Sequence, residues 1–212
     1  KKNAMKVYLD QITTRLKNAN LDVSNIVLEG VPAECVIEYA NSNDVDLIAL
    51  STHGRSGLSG WNVSSVVQKI ILRAYKSTLL VRAYTPRASD LNKAQPYKRL
   101  FVALDCSARA EMVLPIALSL SQFYQVELIL GTVIRTPELL HRFPPSTEDQ
   151  ELVKRISEHN RKAAGHYFNQ LTSQFSSQGI DLQTRLITSS NVIATLHDIV
   201  QQEKIDLVVL AA

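Results

Sequence analysis

Two cysteines in 212 residues, Cys35 and Cys106, are too few for a disulfide framework and stand at no metal-ligand spacing. A reducing compartment is the expectation, with Cys35 a small apolar residue on the inner face of a helix rather than a reactive thiol. No apolar run reaches the roughly 18 residues of a membrane-spanning helix, and no N-terminal stretch has the pattern of a signal peptide. Lys/Arg-rich runs are missing as well, and a net charge of +3 is too small to argue for nucleic acid. No Ser/His/Asp order, paired carboxylates or metal cluster stands out. A cytoplasmic protein with neither a membrane nor a nucleic-acid partner is therefore expected. With 45% hydrophobic and 20% charged residues, the chain can bury one sizeable core or two smaller ones.

What the sequence does have is a repeat. Residues 4–52 and 163–212 share one order of apolar periods, about 159 positions apart. Tyr8 aligns with Tyr167, Gln11 with Gln170, Thr13 with Thr172 and Asp22 with Asp181; after a one-residue insertion Asp46 aligns with Asp206. Each copy reads as helix, strand, helix, buried strand. In the first copy Val7, Leu9, Ile12 and Leu16 lie roughly on one helical face, Asn20 can end that helix, and Val23–Leu28 is expected to be a strand. Pro32 starts an amphipathic helix, and the continuously apolar run DLIAL after it reads as a parallel strand covered on both faces.

The flanks of the two copies differ. After the first come a glycine-containing loop, a helix over 64–74 and a strand over Ser77–Val81. Before the second come the strand Arg99–Leu104 ending at Asp105, a helix capped by Ser107 or Asp105 and running to about Tyr124, and the strand Val126–Gly131. A proline-containing loop and a long helix with acidic residues in its first turn follow. Strands alternating with helices of this length imply βαβ units and right-handed crossovers. Residues 84–97, with two prolines and no periodicity, read as a linker between segments 1–83 and 98–212.

The loop after the first copy, STHGRSGLSGWNVSS, joins a parallel strand to a helix N-terminus. Glycines there let the backbone approach a phosphate, and free N–H groups with the helix dipole favour its charge. Hydroxyls at Ser64 and Ser65 add donors at the same helix start. An ordinary tight loop has the same composition, so spacing alone leaves both readings open. His53, without a carboxylate or cysteine partner nearby, reads as a turn residue, and Trp61 as a packing residue.

Taken with LIALST before it, the helix SSVVQKIILRAYKS, the strand TLLVR and the later strand LFVALDCS, the HGRSGLSG loop resembles the universal stress protein family. The resemblance implies an α/β, flavodoxin-like (Rossmann-like) fold: parallel sheets with helices on both faces, strand order 3-2-1-4-5, and two tandem units. It implies a stress-response protein that binds an adenine nucleotide, ATP with magnesium, in at least one unit without efficient catalysis. The nucleotide-binding positions it marks are Gly54, Arg55, Gly57, Ser64 and Ser65 at the phosphates, and Ala103, Asp105 and Val133 on the adenosine side. The chain departs from the family's glycine pattern at Ser51 and Ser64, where a serine Cβ replaces the freedom of glycine. It also implies pairing, as a homodimer or between the two units. Against the family order, the first segment lacks strands 1 and 2, and the second lacks the phosphate loop and strand 5. A portion of a longer tandem protein is the expectation. A nucleotide-independent interaction module of the same fold is the alternative.

Overall fold

Every strand pairing among the described residues is parallel, so each neighbouring pair requires a crossover to carry the chain back. The computed structural model describes residues 2–52, 64–81, 97–138, 146–176, 180 and 182–211. Two compact units divide the chain, Lys1–Ala94 and Gln95–Ala212. Among the described residues no helix is long and apolar enough to cross a membrane.

The first unit contains α1 (Lys2–Lys17), α2 (Pro32–Ser42), β1 (Leu47–Ser51), α3 (Ser65–Arg73) and β2 (Ser77–Val81). Proline sets the start of α2, where a missing N–H costs nothing, and Ser64 caps α3 by accepting the Val67 N–H at 3.3 Å. The core of this unit is small. Ala33 and Ala40 of α2 and Ile70 of α3 close over Ile48 of β1. Helix α1 contributes nothing to that cluster, and Met5, Val7 and Tyr8 remain exposed.

The second unit contains β3 (Arg99–Ala103), α4 (Ala108–Glu111), α5 (Leu114–Tyr124), β4 (Glu127–Arg135), α6 (Thr147–Phe175), β5 (Leu182–Ser189), α7 (Val192–Gln202) and β6 (Leu207–Val209). The helix expected to run from Ser107 to Tyr124 is broken at Met112 and Val113, and Pro115 sits in the first turn of the second piece. Strand β4 runs four residues past the expected Gly131, because β5 offers it partners as far as Ser189. The four strands lie in the order β5-β4-β3-β6. Alternate residues face opposite layers. Leu100, Val102, Leu128 and Leu130 pack under α5 and α6, while Phe101 and Ile129 pack under Ile199 of α7.

The repeat is visible in the backbone. Helices α2 and α7 occupy equivalent residues 160 apart, and each copy turns from its helix toward the next strand through a left-handed residue, Asp44 and Lys204. One expected element differs. Residues 23–28 form no strand, although their counterparts 182–187 lie in β5. Strand β5 is a strand because β4 is there to pair with it; the described part of the first unit holds no such partner for residues 23–28. These residues lie instead beside α1, where the Asn25 amide donates to Asp10 Oδ1 and Thr13 Oγ1, both at 3.0 Å. The chain then turns at Gly30, whose φ of 143° belongs to glycine, and a Cβ there would stand 2.8 Å from Cys35 Sγ. Cys35 itself is half-buried.

Charged side chains tie the second unit together. Glu127 accepts from Arg99 Nε at 2.6 Å, and Glu203 bridges Arg99 at 3.2 Å and Arg185 at 2.6 Å. The hydrogen bond from Arg185, aided by the charges of Arg185 and Arg99, holds the Glu203 carboxyl below its ordinary range against an opposing effect of burial. A depressed folded pKa means that this contribution is complete above the unfolded value of 4.5 and is lost as pH falls through the lower folded value. The urea midpoint of the second unit should therefore be flat from neutral pH to about 5 and fall below it. Glu203→Gln should make the acid-side fall shallower, which a pH series of unfolding curves reads directly.

Candidate functional site at the carboxyl ends of the strands

The connection from β3 leads to β4 on one side, whereas the connection from β5 returns the chain to β6 on the other. Open parallel sheets place their ligand crevice outside the carboxyl ends of the strands at such a reversal. The register gives this end of the sheet a step. Ala103, the last residue of β3, pairs with Gly131, whereas β4 continues through Thr132, Val133, Ile134 and Arg135 against β5. On the far side β6 ends at Val209, opposite Val102.

Of the residues expected here, Ala103 is half-buried at the end of β3, Asp105 is exposed two residues on, and Val133 is half-buried on the raised part of β4. Asp105 Oδ1 accepts the Ser107 N–H at 2.9 Å, and Ser107 Oγ accepts the Ala110 N–H at 3.2 Å. Both sequence candidates for the cap are thus used, Ser107 for the helix and Asp105 for the turn before it. Hydrogen bonds from Ser107, with a smaller effect from the Arg109 charge, hold the Asp105 carboxyl below its ordinary range. It is an ionised, solvent-facing acceptor with one oxygen anchored.

Three further groups cluster near Asp105, none of which the sequence places at a site. Cys106 adopts φ of 64°; burial pushes its thiol up, offset by a hydrogen bond with the buried Thr132. The Tyr167 hydroxyl is buried with no hydrogen-bond partner among the described residues, and burial, with the neighbouring Glu111 carboxylate, pushes its pKa up. The signal for Thr132 was available: it is a polar residue inside the apolar run LILGTVI. Tyr167 was marked only as a repeat position, which said nothing of its surroundings.

In the first unit the loop between β1 and α3 is pinned at its ends. Thr52 N–H donates to the Val81 carbonyl at 3.0 Å, and Ser64 N–H donates to the Thr52 carbonyl at 3.2 Å. Gly54, Arg55 and Gly57 lie outside the described residues. Ser64 is half-buried and Ser65 exposed at the start of α3. Ser64 has φ of −60°, and Ser51 is the last residue of β1 with no positive φ. Neither serine holds a left-handed backbone conformation here. Ser64 spends its hydroxyl oxygen on the helix cap. Among the described residues no group of His, Cys, Asp and Glu could hold a metal ion.

Comparison with known proteins places these observations. Residues 1–82 match the model of the universal stress protein family. A universal stress protein of Methanocaldococcus jannaschii is 27% identical over 74 residues, which are 35% of this chain and 46% of that protein. A second from the same organism is 38% identical over 56 residues, 26% of this chain and 33% of its own length. The chain thus spans less than half the length of the curated relatives it matches. The crystal structure of a universal stress protein from Archaeoglobus fulgidus superposes with a TM-score of 0.66 at 13% identity, covering 98% of this chain and 66% of that one. That likeness shows the parallel α/β fold.

Proposed function

We propose, from the match of residues 1–82 to the universal stress protein family model, that this chain belongs to that family, binds an adenine nucleotide and does not turn it over efficiently. The observation that carries the reading is Asp105, an ionised carboxylate exposed at the end of β3 beside the reversal in strand order. Its Oδ1 accepts the Ser107 N–H, and the exposed carboxylate can accept in addition from a ribose hydroxyl. Val133 offers an apolar edge to the base, and the small side chain of Ala103 leaves the strand end open. These residues suit the nucleoside half of ATP. Gly54, Arg55, Gly57, Ser64 and Ser65 are the proposed phosphate contacts of the first unit, with magnesium carried on the phosphates. Both units are read as universal stress protein modules, acting in a cytoplasmic stress response.

Calorimetric titration with Mg-ATP, run beside a phosphate-release assay, separates the classes of function. Saturable binding without turnover is expected. Efficient release of phosphate would make the protein an enzyme and overturn the reading.

A specific observation favours the alternative of an interaction module. Strand β2 is an edge strand among the described residues, and Leu80 and Val81 on it are partly exposed. If a homodimer forms through this edge without any nucleotide requirement, sedimentation will show a dimer that Val81→Lys dissociates and ATP leaves unchanged.

A further inference from the structure

Helix α5 has an outer face without charge. Between Glu111 and Glu127 the chain holds no Asp, Glu, Lys, Arg or His, whereas every other described helix carries charged residues. On its inner face Leu114, Ala117 and Leu118 are buried in the core of the second unit. On its outer face Ile116 and Phe123 are 54% and 79% exposed, with the exposed Ser119 between them. Met112, 74% exposed, stands ahead of them, and it and Val113 keep right-handed helical dihedrals. Spacings of four, three and four residues run these positions along one side of the helix. Single exposed apolar residues are ordinary, but a surface helix turns charged side chains to water, and a continuous apolar row marks a contact. Phe123 is also held in place. Its ring meets Tyr124 edge-on at 4.9 Å, and Tyr124 meets Tyr97 at 5.2 Å, so little side-chain freedom is left to lose on docking.

We propose that this row is a two-fold docking surface, on which a second copy of the chain packs its own α5 antiparallel. The charge pattern selects that occupant. Near a two-fold axis each residue meets its own equivalent, so a charge there would face its like, and this row has none. A partner of opposite charge would find nothing on α5 to recognise. The order of sizes agrees. With the axis at the small Ser119 the two backbones can approach, and reversal sets Ile116 of each copy against Phe123 of the other. The area is sufficient. Met112, Ile116 and Phe123 expose roughly 450 Å² per copy, and Pro115, Ser119 and Gln122 raise this to roughly 650 Å². Two copies offer about 1,300 Å², at the low end of specific interfaces, which fits a dimer that forms and dissociates at micromolar concentration. Neither the candidate nucleotide site nor the edge of β2 takes part, so the proposal goes beyond both readings of function.

Sedimentation of the full chain from about 1 to 300 μM tests it. A concentration-dependent dimer is expected, and Phe123→Glu should weaken it by about 30-fold or more while leaving the urea midpoint of the second unit unchanged. Position is read by cross-linking. Under mild oxidation Ser119→Cys should join two copies through a disulfide, whereas Gln125→Cys, exposed on the same helix but away from the axis, should do so no faster than the unaltered chain. A monomer at every concentration would give the row a different occupant and overturn the proposal. So would a dimer that Phe123→Glu leaves intact and Val81→Lys dissociates, or cross-linking at residue 119 no faster than at residue 125.

Discussion

Replacing Phe168 with alanine is expected to cost the second unit about 3–5 kcal/mol, whereas Leu9→Ala at the equivalent position of the first copy should cost less than about 1 kcal/mol. Phe168 is 1% exposed and sits among Leu171, Phe175 and the inner residues of β3 and β4. Truncation removes most of a buried ring and leaves a cavity that the packed strands cannot close. Leu9 is half-buried on a helix outside the core, so truncation there removes little burial and opens no void. The two units need not unfold together, and a single transition is not assumed. Amide exchange read separately in β3 and α3 gives each unit its own value. Equal costs at the two sites would show that α1 packs on a core in the free chain.

The second large effect lies at Gly131. A Cβ there would clash with Phe101 Cε2 and stand 2.7 Å from its Cζ, and Phe101 is fully buried. The ring cannot move without displacing Ile129 or Ile199, which share its cluster. Gly131→Ala should therefore destabilise the second unit by about 2–3 kcal/mol through overpacking. Phe101→Leu removes the clashing atoms, so the double variant should be less destabilised than the sum of the single ones. Strict additivity in urea unfolding would show that the glycine is needed for another reason.

Much of this fold was legible in the sequence because its signals are local. Pro32 and Ser64 start their helices as read, Asn20 adopts the left-handed φ of a helix end, and the run DLIAL gives β1. The repeat predicted α7 and β6 from α2 and β1. Residues 23–28 were not legible, since a strand exists only when another strand pairs with it, and that partner is far away in sequence. The added length of β4 has the same origin, since pairing with β5 decides where it ends, whereas the break at Met112 and Val113 lies just before Pro115 in the first turn of α5. In the candidate site, Asp105 is marked by the family resemblance, and it lies two residues beyond the end of β3. The grouping of Cys106, Thr132 and Tyr167 around it could not be read, because three separate elements converge there.

Asp105 is proposed to line a nucleotide site at the ends of β3 and β4. Calorimetric titration of Mg-ATP into the Asp105→Ala chain, beside the unaltered one, tests it most directly. Losing an acceptor that is ionised and anchored should weaken binding by about tenfold or more, roughly 1.4 kcal/mol. Affinity unchanged by Asp105→Ala, in a chain whose second unit keeps its amide protection, would contradict the account.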